Sequence, residues 1–264
     1  MEPDIPKNTK DNTLQMERQI EILQIIKTKG FVKVSELSRR YGVSLNTIRR
    51  DFRRLEDQGL LQVSRGGAVG TPNAPMGAPL GQRADQWAEE KRRIGQRACT
   101  LVGVGQAIIL DGGTTTERMI PGLRDIGGLT VITNALNIAR GLSGVPGVTT
   151  VLCGGILNDV TGTLAGFHAE EFMKQFHVAT AFLSAGGITT EGAANTNAFE
   201  VRIKHSMLEA AERVVLLATG DKIGRKAFAA FASLGEIDMV ITDTGAPAAE
   251  VERLRAAGVE VVLC

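Results

Sequence analysis

The chain has little of what would tie it to an oxidising compartment, a metal or a membrane. Its three cysteines, Cys99, Cys153 and Cys264, are odd in number, with no CxxC spacing and no nearby histidine. That pattern speaks against a disulfide scaffold and a zinc site, so neither metal nor cofactor is expected. His168, His177 and His205 are scattered as well. The opening stretch, MEPDIPKNTKDNT, lacks the apolar core of a signal peptide, and no apolar run approaches the ~18 residues needed to span a bilayer. A cytoplasmic protein is the expectation.

An excess of either charge is missing too, because the formal net charge of the 264 residues is +1. The halves nevertheless differ. Residues 1–66 hold 13 Lys+Arg against 9 Asp+Glu, or +4, and residues 67–264 hold 17 against 20, or −3. A basic head on a mildly acidic body suits a polyanion partner for the first part. With 43% hydrophobic and 22% charged residues, the chain can bury a core like an ordinary globular protein.

What is present begins with VSLNTIRRDFRRLEDQGLLQVSRGG, from Val43 to Gly67. On a helix starting after Ser44, Ile48, Phe52 and Leu55 share one stripe, while Asn46, Arg49, Arg50 and Arg53 face away. Ser44 can cap that helix through the N–H groups of its first turn. Upstream, Ser35 is a second expected cap, for a short helix Glu36–Tyr41 with Leu37 inward, and Gly42 supplies its left-handed stop. Two capped helices around Gly42-Val43-Ser44 make a helix-turn-helix, whose second helix enters the major groove. Asn46, Thr47, Arg49 and Arg50 then face base edges, Arg53 and Arg54 face phosphate, and Ser44 at the helix start is counted among the DNA-binding residues. The bland alternative is a solvated arginine face, partly paired by Asp51, Glu56 and Asp57 at helical spacing. Gly59 to Gly67 reads as a hairpin or wing. Met16 to Lys29 reads as a preceding amphipathic helix with Ile20, Leu23 and Ile26 on its main stripe.

The ordered run of Val34-Ser35-Glu36-Leu37-Ser38, Val43-Ser44, Thr47-Ile48-Arg49-Arg50-Asp51, Leu55-Glu56 and Arg65-Gly66-Gly67-Ala68 resembles the winged helix-turn-helix of DeoR-type bacterial transcription regulators. The resemblance adds Arg65, on the wing, to the expected DNA contacts. It implies double-stranded operator DNA as the partner.

The expected partition is a DNA-binding domain over 1–68, a Gly/Pro/Ala-rich linker over 69–81 and an effector-binding domain over 82–264. Gln82 to Val102 has helical spacing, and its triplet Lys91-Arg92-Arg93 reads as solvated. Short apolar runs then alternate with helical ones. Strands are expected at Ala107–Leu110, Thr130–Thr133, Val148–Leu152, Ala179–Leu183, Val214–Leu217, Met239–Thr242 and Val259–Leu263. Helices are expected at Thr116–Leu123, Ala135–Leu142, His168–Phe176, Ala198–Ala211 and Pro247–Ala257. This alternation predicts an α/β fold, a Rossmann-like and mostly parallel sheet covered on both faces.

Ligands of such sheets sit beyond the carboxyl ends of the strands. There the chain places Asp111-Gly112-Gly113-Thr114-Thr115-Thr116, Asn134, Gly154-Gly155 and Gly186-Gly187. Glycines admit close backbone approach, and threonine hydroxyls with free N–H groups at a helix start can surround phosphate. No Walker lysine follows GGTTT and no GxGxxG follows a strand, so ATP and NAD are not expected.

This part is similar to the DeoR C-terminal domain, itself related to sugar-phosphate isomerases. The matching residues are Ile109 to Thr116, Ile132-Thr133-Asn134, Gly154-Gly155, Ala181-Phe182-Leu183, Gly186-Gly187-Ile188, Glu200 and Lys222-Ile223-Gly224. The resemblance implies that Asp111 and Thr114 to Thr116 hold phosphate or hydroxyls, that Asn134 and Gly155 line the pocket, and that Lys222 supplies a cation. It departs at Thr219-Gly220-Asp221-Lys222, where the family has a pattern like Asp-x-Ser-Lys, and at Ala179, where Asp is common. Asp221 is therefore expected either to repel phosphate or to pair with Lys222. The function implied is repression of a carbohydrate operon, relieved by a phosphorylated sugar, in a homo-oligomer (dimer or tetramer) that is not an enzyme. Two other readings compete. One is an isomerase or deaminase using Asp111, Glu200 and His205; the other is a second domain that only assembles oligomers.

Overall fold

The computed structural model describes residues 18–19, 21–22, 25–26, 29–57, 61–70 and 80–264. The chain divides into two compact units, Met1–Ala74 and Pro75–Cys264.

In the first unit, helical backbone at 18–19, 21–22, 25–26 and 29 (α1) buries Ile22 and Ile26. Ile20 and Leu23, expected on that face, lie outside the described residues. β1 (Phe31–Lys33) runs directly into α2 (Val34–Tyr41), so α2 starts two residues before the expected Glu36. Ser35 is not its cap. Lys33 occupies the cap position without a side-chain bond, and the Val34 N–H reaches the Gly66 carbonyl at 3.0 Å, so the wing satisfies the first donor of the helix. Gly42 ends α2 at φ 63°, a conformation that costs other L residues about 1–2 kcal/mol.

Ser44 does cap α3 (Leu45–Asp57), its Oγ accepting the Thr47 N–H at 3.1 Å. Ile48, Phe52 and Leu55 are buried against Val32, Leu37, Leu61 and Ala68. Each such side chain contributes about 1.5–3 kcal/mol through burial. β2 (Leu61–Ser64) and β3 (Gly67–Gly70) form the antiparallel wing, and β1 pairs with the other edge of β3. Gly59 and Leu60 lie outside the described residues. Val69 and Gly70 belong to β3 rather than to a linker, because they continue its pairing with β2.

The second unit opens with α4 (Leu80–Asp85) and α5 (Ala88–Cys99), so Leu80 and Gly81 are helical too. Residues 71–79 lie outside the described residues. The single helix expected over Gln82–Val102 is thus broken, at Trp87, whose φ of 57° is left-handed. Thereafter β4 (Ala107–Leu110) leads through a 3-10 turn, Thr116–Met119, to α6 (Ile120–Leu123), β5 (Leu129–Thr133), α7 (Leu136–Leu142) and β6 (Val148–Leu152). A hairpin, β7 (Ile156–Asn158) and β8 (Thr163–Ala165), precedes α8 (Phe167–Met173) and β9 (Val178–Ser184). β10 (Gly187–Thr189), β11 (Gly192–Asn195), α9 (Val201–Glu209), β12 (Ala211–Leu217), β13 (Ala229–Ala232), β14 (Met239–Thr242), α10 (Ala248–Ala256) and β15 (Glu260–Leu263) complete the unit. Ala211, expected to end a helix, instead starts β12, where it pairs with Val178.

The seven expected strands form one seven-stranded sheet in the order β15-β14-β12-β9-β4-β5-β6, parallel throughout. Ile108, Leu110, Val131 and Phe182 pack on one face with Ile94 of α5, Leu123 of α6 and Ile138 of α7. α9 packs against β9 and β12, and α8 packs against α9. Burial on both faces is why these strands are continuously apolar rather than alternating. The chain winds outward from β4 through β5 and β6, then returns on the other side of β4 as β9. Strand order reverses between β4 and β9, the crevice where open parallel sheets hold ligands.

Candidate functional site

In the first unit α3 divides as its spacing predicts. Asn46, Arg49, Arg50, Arg53 and Arg54 are exposed, as are Ser44 and the wing residue Arg65; Thr47 is half-buried. Among the described residues none of these five arginines, nor Arg65's neighbours on the wing, forms an ion pair. Arg49 Nη1 donates to Asn46 Oδ1 at 3.2 Å, and the Ser44 and Thr47 hydroxyls lie 2.9 Å apart. Two of the acids that could pair part of this face, Asp51 and Glu56, are engaged elsewhere. Asp51 is turned inward, where Arg18 Nε and Gln19 Nε2 donate to it at 2.6 and 3.2 Å. Glu56 accepts the Val63 N–H at 2.6 Å, tying α3 to the wing, and the Asp57 side chain lies outside the described residues. A cavity of about 360 Å³ opens between α3 and the wing, lined by Ser35, Leu45, Arg49, Arg53, Val63 and Ser64. The arrangement offers a cationic helix face and a flanking loop to a polyanion.

In the second unit the β4–β9 crevice is organised by Asp111. Its Oδ2 accepts the Ser184 N–H at 2.8 Å and the Ser184 hydroxyl at 2.9 Å. Lys204 of α9 forms an ion pair with the same oxygen, and its Nζ also donates to the Ser184 carbonyl at 2.8 Å. That ammonium lies 4.9 Å from the Phe231 ring centroid. Burial opposes ionisation of Asp111, but the Lys204 charge and the Ser184 donors outweigh it and hold the carboxyl below the usual carboxylate range. Gly113 donates to Asp111 Oδ1 at 3.2 Å, and a Cβ on Gly113 would collide with Ser184. Thr116 Oγ1 donates to the Asp111 and Gly113 carbonyls at 2.9 and 2.8 Å. The loop is therefore held in shape by its own hydrogen bonds. Thr114 and Thr115 are buried, and the Thr115 hydroxyl has no partner.

Other expected residues join this cluster. Asn134 is buried, its Nδ2 donating to the Leu164 carbonyl at 3.0 Å while its Oδ1 stays unpartnered. Glu200 accepts from Thr163 Oγ1 and from Asn195 Nδ2, both at 2.7 Å. Burial pushes the Lys222 ammonium down to about 8, against the pull of Asp221. Asp221 makes no ion pair with Lys222; Thr219 Oγ1 donates to it at 2.6 Å. Gly154 is exposed and Gly155 half-buried against the Ala165 carbonyl, beyond the edge strand β6. Gly186 and Gly187 pack against Thr196 and the Arg225 carbonyl, where side chains would not fit. His205 is exposed, and its nearby acid is Glu236 rather than Glu200.

Sequence reasoning missed Lys204, Ser184, Thr163 and Lys91. Lys204 stands between Ile203 and Met207 on the buried stripe of α9, a position that asks for a counter-charge. Lys91 is not solvated as expected. It is buried, and its Nζ donates to the Arg83 carbonyl across the break at Trp87. Arg92 and Arg93 do face outward, beside Glu89 and Glu90. Among the described residues no helix is long and apolar enough to cross a membrane.

Similarity to known proteins extends over nearly the whole chain. Residues 18–71 match the DeoR-like helix-turn-helix domain and residues 86–244 the DeoR C terminal sensor domain. The HTH-type transcriptional regulator GlpR of Haloferax volcanii is 37% identical over 94% of this chain and 98% of its own length. The glycerol-3-phosphate regulon repressor of Escherichia coli strain K12 is 30% identical over 95% of this chain and 99% of its own. Among solved structures, ribose 5-phosphate isomerase A of Methanocaldococcus jannaschii aligns at 16% identity, over 52% of this chain and 55% of that one, with a TM-score of 0.37.

Proposed function

The chain belongs to the DeoR family of transcriptional regulators, and from that premise we propose that it represses a carbohydrate-metabolism operon until a phosphorylated sugar or related metabolite fills its second unit. The observation that carries this reading is a division of charge. The head turns unpaired arginines outward, whereas the sensor encloses its polar loop at the sheet's reversal point. Asn46, Thr47, Arg49 and Arg50 read base edges, with Ser44 capping their helix, and Arg53, Arg54 and Arg65 hold phosphates. Asp111, Gly113, Thr114 to Thr116, Asn134, Glu200 and Lys222 surround the effector, with Gly154-Gly155 and Gly186-Gly187 shaping its loops. A symmetric dimer or tetramer in the cytoplasm presents paired heads to half-sites about one helical turn apart.

The effector acts by binding the DNA-releasing arrangement more tightly than the DNA-bound one, since equal affinity for both would shift nothing. Fluorescence anisotropy of full-length protein on its own upstream DNA, titrated with phosphorylated sugars and their unphosphorylated counterparts, tests this. Operator affinity should fall about 5- to 150-fold with an active phosphorylated sugar and stay unchanged with the parent sugar. Retention of DNA throughout the panel would overturn the reading, as would turnover of any member.

A further inference from the structure

Arg83 on α4, Lys91 on α5 and Arg118 on the 3-10 turn after Thr115 come together through hydrogen bonds to α4, and Lys222 after β12 lies within electrostatic reach of Lys91 and Arg83. Lys91 Nζ donates to the Arg83 carbonyl, and Arg118 Nη2 donates to the Ala84 carbonyl at 3.1 Å. Lys91 is 3% exposed, and the Arg83 Nε and Thr115 Oγ1 are enclosed without hydrogen-bond partners. No ion pair reaches any of the four cations among the described residues. Three acids lie within electrostatic reach. Asp111 is held by Lys204, Asp221 is exposed and bonded by Thr219, and Asp85 is exposed. Burial lowers Lys91, and the Arg118 and Arg83 charges lower it further; Lys222 is lowered by burial and by Lys91 and Arg83.

Lys91 is buried, and Arg83, Arg118 and Lys222 are half-buried; cations drawn partly out of water with no acid paired to them are unfavourable in a folded protein unless an anion completes the site. We propose that Arg83, Lys91 and Lys222, with the Thr115 hydroxyl and Arg118 behind them, form the seat for the phosphoryl group of the effector. This rests on the sensor reading above and gives α4 and α5 a part in binding, beside the glycine-threonine loop.

Inorganic phosphate is the probe. Thermal melts of the full chain are recorded in phosphate and in chloride of equal ionic strength, for the parent and for Arg83→Gln, Lys91→Met and Lys222→Met. Phosphate should raise the melting temperature of the parent by mass action. Each substitution should weaken phosphate binding about tenfold or more, the loss of one charge-assisted hydrogen bond. In chloride, Lys222→Met should melt at or above the parent, because a repelled cation is gone, which also excludes misfolding as the cause. The parent's affinity should fall as pH climbs through about 8, where the empty site's Lys222 loses its proton, and Lys222→Met should flatten that limb. A parent indifferent to phosphate, or variants that respond like the parent, would sink the seat. If the variants lose phosphate while no phosphorylated sugar releases DNA, the seat stands and the repressor reading fails; if sugars release DNA from the variants as from the parent, the reverse holds.

Discussion

At the scale of single residues, Lys204 and Asp111 depend on each other. Both are about as buried as any leucine in the core, with side-chain exposures of 3% each. Removing one partner of such a pair leaves an uncompensated charge, a loss of about 3–5 kcal/mol, whereas replacing both is close to neutral. Lys204→Met should therefore destabilise the sensor by roughly that amount in chemical denaturation. Lys204→Met with Asp111→Asn should recover most of it, and failure to recover would show that Lys204 acts by packing on Phe231. The pair's stabilisation is present above the ordinary carboxylate range and is lost as pH falls through the depressed Asp111 value. Asp111 was legible because it ends an apolar run and opens GGTTT. Lys204 and Lys91 were not, since a lysine on a helix is by default solvated, and only the packed neighbours reveal otherwise.

At the scale of elements, α3 was readable at its start and along both faces because cap, stripe and polar face all follow from local spacing. α2 was misread at its start, as its first N–H is satisfied by Gly66, some thirty residues away, and no local signal announces that. The parallel strands were legible through their β-branched runs. The hairpin β7–β8 and the strands β10, β11 and β13 were not, being three or four residues each and rich in Gly, Ala and Thr. They matter all the same, since Thr163 and Asn195, which hold Glu200, lie on them. For α3 the assignment of roles predicts two different losses. Arg50→Ala should weaken operator binding by about 1–3 kcal/mol and relax its sequence preference. Arg54→Ala should weaken all duplexes alike and reduce the salt slope by about one. Titrations at several salt concentrations on operator and scrambled DNA distinguish them, and a uniform loss for Arg50→Ala would demote it to a phosphate contact.

At the scale of the whole molecule, the partition into head and sensor follows from composition and period. The linker drawn over 69–81 was too long at both ends, because strand pairing claimed Val69 and Gly70 and helix claimed Leu80 and Gly81. The reversal between β4 and β9 could not be read at all, as strand order depends on contacts across the chain rather than along it. The break at Trp87 has a practical outcome for spectroscopy. The chain has one tryptophan and one tyrosine, and they fall in different units, Trp87 in the sensor and Tyr41 in the head. Indole emission therefore follows the sensor while phenol absorbance follows the head, and in rising urea the two traces should part company if each unit melts by its own cooperative step. With Trp87 54% exposed four residues before Lys91, the indole is also placed to brighten or dim as an anion settles nearby, giving the unlabelled protein an optical readout of its own occupancy.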